Sequence, residues 1–171
     1  MENYSVLMSL YKKEHPEYLR LALDSMINQT IRPDEIVLVE DGPLTDELYA
    51  VVEEYKPYLH IVINKKNLGL GLALNEGLKA CSNELVARMD TDDISKPDRC
   101  EKQLKRFEEK QELAIVGSHI DEFVGDPSNV ISQRRVPTTS EAIYEYAKKR
   151  SAFNHPAVMY RKSAVLAEGG Y

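Results

Sequence analysis

Three carboxylates, Asp90, Asp92 and Asp93, fall within four residues and directly follow Glu84–Met89, which reads as a strand. Such groups repel one another, and the arrangement is stable when a cation neutralises it. Hard divalent ions, Mg²⁺ or Mn²⁺, prefer carboxylate oxygens and take one or two of them at sites shared with phosphates. There the ion bridges to diphosphate oxygens and stabilises a departing charged group as a Lewis acid. An Asp-x-Asp after an apolar strand therefore suits a metal–diphosphate site. The alternative is an acidic loop capping the helix that opens near Pro97.

A second carboxylate stands in Val39-Glu40-Asp41-Gly42. At a strand end, Asp41 can accept hydrogen bonds from a base or ribose, although Asp-Gly is also a favoured turn pair. The turn Gly69-x-Gly71 has Leu74 where a dinucleotide fingerprint needs its third glycine, and it follows the third strand rather than the first. That disfavours an NAD site. The chain contains neither a GxxxxGK[ST] loop nor a Gly-x-Ser-x-Gly elbow, and its four histidines lack zinc-like spacing. His60 reads as a strand residue, and His15 and His119 as surface or loop residues.

The elements that must hold these residues follow from hydrophobic period and breakers. Ser5–Leu10 has the length of a buried strand. Pro16 opens a helix with Leu19, Ala22, Leu23, Met26 and Ile27 at helical spacing. Glu35–Val39 is a second strand, Thr45–Tyr55 a helix stopped before Pro57, and Leu59–Ile63 a third strand. A helix over Leu72–Cys81, the strand Glu84–Met89, a helix from Pro97 and a fifth strand, Leu113–Gly117, come next. The looser remainder reads as a strand in Val130–Val136, a helix in Ser140–Lys149, a strand Ala157–Tyr160 and a short helix from Arg161 ending at Gly169-Gly170. Strands alternating with helices imply a parallel sheet with crossover helices, which binds ligands at the carboxyl ends of its strands. Asp41 and the Asp90–Asp93 cluster both fall at such ends.

Bulk properties bound the function. The 171 residues suffice for one domain, and 43% apolar and 29% charged residues are ordinary for a soluble globular chain. A net charge of -6 disfavours nucleic acid as a partner. The two cysteines, Cys81 and Cys100, form no CxxC and read as reduced structural thiols. The acidic start Met1-Glu2-Asn3 has no signal-peptide pattern, and no apolar run reaches membrane-spanning length.

Taken in order and spacing, several segments resemble family 2 glycosyltransferases with the nucleotide-diphospho-sugar transferase fold called GT-A. They are Ser5–Tyr11, Asp24–Thr30, Glu35–Gly42, Asn67–Gly77, Met89–Asp93, Pro97-Asp98-Arg99 and, less fully, the stretch His155–Tyr171. The resemblance implies a Rossmann-like α/β fold with a mostly parallel central sheet flanked by helices. It divides a single domain, 1–171, into a nucleotide-sugar-binding half, 1–110, and the start of an acceptor-side half, 111–171. Asp41 would contact uracil, and Ser9 and Tyr11 would line the nucleotide pocket. Lys66, Asn67 and Gly69 would lie near base and ribose. Asp90, Thr91 and Asp92 would form the DxD motif, with Asp92 and then Asp90 as ligands of Mn²⁺ or Mg²⁺. Two positions depart from the family pattern. Glu40 replaces an aspartate, and Ala73-Leu74-Asn75 lacks an arginine for which Arg88 is the candidate substitute.

The implied reaction is inverting transfer from a UDP-sugar to a glycan or lipid-linked acceptor, in surface polysaccharide synthesis. No catalytic base is assigned within the chain. The resemblance expects it in an acidic motif beyond Tyr171, so the chain is expected to be incomplete and to bind donor without efficient transfer. A cytoplasmic location is expected, at the inner face of a membrane if the full-length protein attaches peripherally. The alternative is a non-catalytic nucleotide-sugar-binding module. A sugar-phosphate nucleotidyltransferase fits less well, because Ser9–Lys13 lacks the glycine-rich loop that class carries after its first strand.

Overall fold

The architecture is described from a computed structural model that covers residues 2–171, so Met1 lies outside the described residues. In chain order the elements are β1 Tyr4–Leu10, α1 Pro16–Ile27, β2 Glu35–Asp41, α2 Asp46–Tyr55 and β3 Leu59–Asn64. Next come α3 Leu70–Ala80, β4 Leu85–Arg88, α4 Arg99–Glu109 and β5 Ile115–Val116. They are followed by β6 Ile120–Phe123, β7 Val130–Arg134, α5 Ser140–Ala147, β8 Met159–Arg161 and α6 Lys162–Ala167.

The strands are apolar runs because both faces of the sheet are covered. Successive side chains alternate between faces. Val6, Met8 and Leu10 of β1 with Ile36 and Leu38 of β2 pack under α1, α2 and α4, meeting Leu23, Leu48 and Phe107. Leu7, Val37 and Val39 face the other way, onto Ala73, Leu74 and Leu78 of α3. On that face α3 lies so close that a Cβ on Gly77 would meet the side chains of Leu7 and Val39. Pro16 opens α1, and the Thr45 hydroxyl caps α2 by accepting from the Leu48 amide at 3.3 Å. Cys81 and Cys100 are buried and unpaired, and burial pushes the Cys81 thiol up to about 12.

The main sheet has the order β3-β2-β1-β4-β8-β5, with β3, β2, β1 and β4 parallel. This is the mostly parallel sheet the sequence implies, with one insertion the sequence does not reveal. β8 enters between β4 and β5 and is antiparallel to both. Differences in extent are small. The helix expected from Pro97 begins at Arg99, because Lys96–Asp98 is spent in a turn closed by the Arg99 amide on the Lys96 carbonyl at 3.1 Å. The fifth strand shrinks to Ile115–Val116, and β6 pairs with β7 as a separate two-stranded sheet.

Candidate metal and nucleotide site

Parallel pairing brings Leu10, Asp41, Asn64 and Arg88 to one edge of the sheet. The chain past β4 is pinned there, since the Met89 amide donates to the Leu7 carbonyl at 3.1 Å. Beyond it Asp90, Asp92 and Asp93 each offer one carboxylate oxygen, all within 4.8 Å of one another. Oxygens bound to one ion at about 2.1 Å are at most about 4.2 Å apart, so small side-chain rotations complete a hard-ion site. Burial, then the charges of Asp90 and Asp92, raise the Asp93 carboxyl to about 6. Asp92 is exposed but is also raised, by desolvation and by Glu14 and Asp90. The residues fit a divalent cation in donor type, spacing and charge.

Behind this acidic surface lie two buried cations. The Arg88 side chain has no exposure and pairs with Asp90 through Nη2, while its Nε and Nη1 have no partner. Arg88 therefore stands beneath the carboxylates rather than on the surface that a phosphate would approach. Arg99 donates through Nη2 to the Arg88 carbonyl at 2.8 Å and through Nη1 to the Pro156 carbonyl at 3.1 Å. Thr91 is buried and donates to Glu14 at 2.6 Å, which fixes the β1–α1 connection against the carboxylate loop.

Asp41 organises a second loop. Its Oδ1 accepts from Asn64 Nδ2 at 3.0 Å and from the Leu68 amide at 2.8 Å, and its Oδ2 accepts from the Gly69 amide at 3.0 Å. Asn67 Nδ2 donates to the Asp41 carbonyl at 3.3 Å. Gly42 adopts φ +90°, and a Cβ there would stand 2.7 Å from the Asn67 amide nitrogen. Asp41, Asn67 and Gly69 are thus brought together, and Lys66 is exposed on the same loop. Ser9 is half-buried near the end of β1, and Tyr11 is exposed just past it, between the Asp41 and Asp90 strands. Glu40 is buried, and burial raises its carboxyl.

The structure adds Glu14, Arg99 and His155 to the residues singled out by sequence. His155 sits in a short 3-10 turn with its ring edge-on to Tyr171, centroids 5.5 Å apart. Burial and the Arg88 charge lower its pKa, against the pull of Asp90. Nothing in spacing marks Glu14, whereas Arg99 and His155 stand inside quoted segments and lacked only a role.

Comparison with known proteins follows the same lines. The profile of "Glycosyl transferase family 2" matches residues 5–167. An uncharacterized glycosyltransferase of Haemophilus influenzae is 48% identical over 98% of the chain and 64% of its own length. The amylovoran biosynthesis glycosyltransferase AmsE of Erwinia amylovora is 44% identical over 98% of the chain and 63% of its own. A UDP-Gal:alpha-D-GlcNAc-diphosphoundecaprenol beta-1,3-galactosyltransferase of Escherichia coli is 39% identical, covering 98% and 62%. The chain thus spans somewhat under two thirds of these relatives.

Among solved structures, S. aureus TarS 1–349 with UDP-GlcNAc superposes with a TM-score of 0.71 at 21% identity, covering 98% of this chain and 47% of that one. The Pyrobaculum calidifontis mannosyltransferase PcManGT, in complex with GDP-Man and Mn²⁺, gives 0.71 at 18% identity, covering 99% and 47%. These likenesses bear on the fold, which is the GT-A arrangement.

Proposed function

Because the chain belongs to glycosyl transferase family 2, we propose that it binds a UDP-sugar through a divalent cation, Mn²⁺ or Mg²⁺, held by Asp92, Asp90 and Asp93. The whole protein would transfer that sugar, with inversion, to a glycan or lipid-linked acceptor in surface polysaccharide synthesis. The observation carrying the reading is the carboxylate triad at the same sheet edge as the Asp41 loop. Relatives named for UDP-Gal transfer and amylovoran synthesis support the donor and the pathway class. The Mn²⁺ in the mannosyltransferase complex supports the cation.

A bound ion at the triad supplies positive charge for the departing diphosphate. The chain's own residues prepare that chemistry. Arg88 holds Asp90 from beneath, so the carboxylate needs little reorganisation on binding. Asp41 fixes the 64–69 loop, whose exposed Lys66 and Asn67 flank the space for base and ribose.

Calorimetric titration with UDP, with and without Mn²⁺, tests the reading on the native chain and on Asp92→Ala. Binding that requires Mn²⁺ and disappears in the variant is expected. Equal affinity without metal would remove the cation from the site. Failure to bind UDP or any other nucleoside diphosphate would overturn the donor reading.

A further inference from the structure

Asn75 lies on α3, the helix that opens at the Gly69 loop held by Asp41. Its side-chain amide clamps the backbone of Tyr171, 96 residues further on. Oδ1 accepts from the Tyr171 amide at 2.8 Å, and Nδ2 donates to the Tyr171 backbone oxygen at 3.1 Å. A carboxamide suits this task because it offers a donor and an acceptor side by side. The chain reaches the clamp through Gly169 and Gly170, which turn it off the end of α6 at φ +96° and +91°. A Cβ on Gly170 would collide with Asn75 Oδ1, so the close approach itself requires glycine. Asn75 is half-buried and Tyr171 is 36% exposed, so this fit adds little to the hydrophobic core.

What the clamp holds in place is a ring. Tyr171 Oη donates to Oη of the buried Tyr160 at 2.8 Å, with ring centroids 6.1 Å apart, and the same ring meets His155 edge-on. Tyr160 stands on β8 opposite Val86 of β4. His155 belongs to the turn whose Val158 end accepts from the Arg88 amide at 2.9 Å. The Tyr171–His155 pair therefore lies beside the strand end that leads to Asp90, and the charges of Arg88 and Asp90 bear on both rings. An imidazole and a phenol are thus open to solvent at the edge where a metal-bound diphosphate would lie. Such rings suit a pyranose, whose C–H faces pack on aromatic surface and whose hydroxyls exchange hydrogen bonds with imidazole nitrogen.

We propose that Asn75 is a positioning residue for sugar recognition: it fixes Tyr171 against His155 and Tyr160, and the Tyr171–His155 pair contacts the hexosyl group of a nucleotide sugar. Asn75 acts through Tyr171 and touches no ligand itself. This deepens the function proposed above and rests on its nucleotide-sugar reading. The Asp41 loop and the aromatic pair would then take opposite ends of one ligand, with α3 joining them.

The test is calorimetry in Mn²⁺ on the 171-residue chain, with UDP, UDP-galactose and UDP-N-acetylglucosamine as ligands. The readout is the ratio of each sugar nucleotide's Kd to that of UDP. Asn75→Ala should leave the Kd for UDP unchanged and raise the ratio about two- to tenfold for whichever sugar nucleotide binds more tightly, the worth of one net hydrogen bond. Gly170→Ala, which obstructs the clamp from the other side, should do the same. Tyr171→Ala should also raise the ratio, and adding Asn75→Ala to it should change nothing further. A role in folding alone would weaken UDP and the sugar nucleotides alike. That result, an unchanged ratio in Asn75→Ala, or full additivity of Asn75→Ala with Tyr171→Ala would overturn the proposal while leaving the donor reading intact. A native chain that binds none of the three ligands would overturn the donor reading, and this proposal with it.

Discussion

Replacing Asp93 by asparagine should stabilise the metal-free protein and abolish its stabilisation by metal. The triad's oxygens lie within 4.8 Å of one another. At that separation two unit charges repel by about 0.9 kcal/mol in water and about 3.5 kcal/mol at an effective dielectric constant of about 20. Asp93→Asn removes two of the three repulsive pairs with little change of shape. Asp92 is exposed and Asp90 is already paired with Arg88, so the gain lies at the low end, about 1–2 kcal/mol. For a chain of this size that is a rise in Tm of about 2–8 °C.

The sign with pH follows from the raised carboxyl. Asp93 titrates at about 6 in the folded chain against an ordinary value of 3.8. Between those values the folded state holds the extra proton, so wild-type stability falls as pH rises through the window and levels above it. The advantage of Asp93→Asn should therefore be full at pH 7.5 and shrink toward pH 4. With Mn²⁺ at about a hundred times its Kd, the wild type should gain about 2.7 kcal/mol and overtake the variant. Thermal melts at pH 7.5 and 4.5, with and without Mn²⁺, provide the assay. A variant less stable than wild type without metal at pH 7.5, or an advantage undiminished at pH 4.5, would refute the reasoning.

Other substitutions probe the surroundings of the triad. Asp41→Ala leaves the Leu68 and Gly69 amides without their acceptor, so hydrogen exchange across 64–69 should accelerate and UDP affinity should fall while Mn²⁺ binding persists. Gly77→Ala gains about 1 kcal/mol of helix propensity but drives a Cβ into Leu7 and Val39, and overpacking of about 1–3 kcal/mol should leave a net loss in thermal melts. Arg99→Met unpairs the Arg88 and Pro156 carbonyls, at a cost of about 2–4 kcal/mol readable by urea unfolding.

Much of the fold was legible because its local and long-range signals agree. The runs Ser5–Leu10 and Glu35–Val39 are apolar except at Ser5, Ser9 and Glu35, close to the continuous apolar run of a two-face-buried strand, and they became two adjacent parallel strands of the sheet. The acidic clusters were legible for the same reason, since each directly follows such a run. What stayed hidden depends on pairing between distant segments. β6 has four residues, too few to show a period, and β8 shows no sign in its own sequence that it will lie antiparallel. Glu14 reaches the site through a bond to Thr91 across 77 residues, which no local pattern encodes. The burial of Arg88 was equally invisible, because an arginine at a strand end reads as a surface cation until its neighbours are placed.

The direction of β8 explains why the segment before it reaches the carboxylate edge. A strand antiparallel to β4 begins where β4 ends, so the turn His155–Ala157 preceding β8 must lie beside the carboxylates. A parallel β8 would have delivered that turn to the opposite edge of the sheet. The junction is then fastened twice, by the Arg88 amide on the Val158 carbonyl at 2.9 Å and by Arg99 bridging the Arg88 and Pro156 carbonyls. The same arginine that the turn after Pro97 sends inward thus ties β4 to the His155 turn. A displacement of either is transmitted to the other through a buried guanidinium with little room to swing aside. The 89–93 loop and the His155 turn therefore form one rigid edge, and the geometry at the carboxylates is set by segments far apart in the chain.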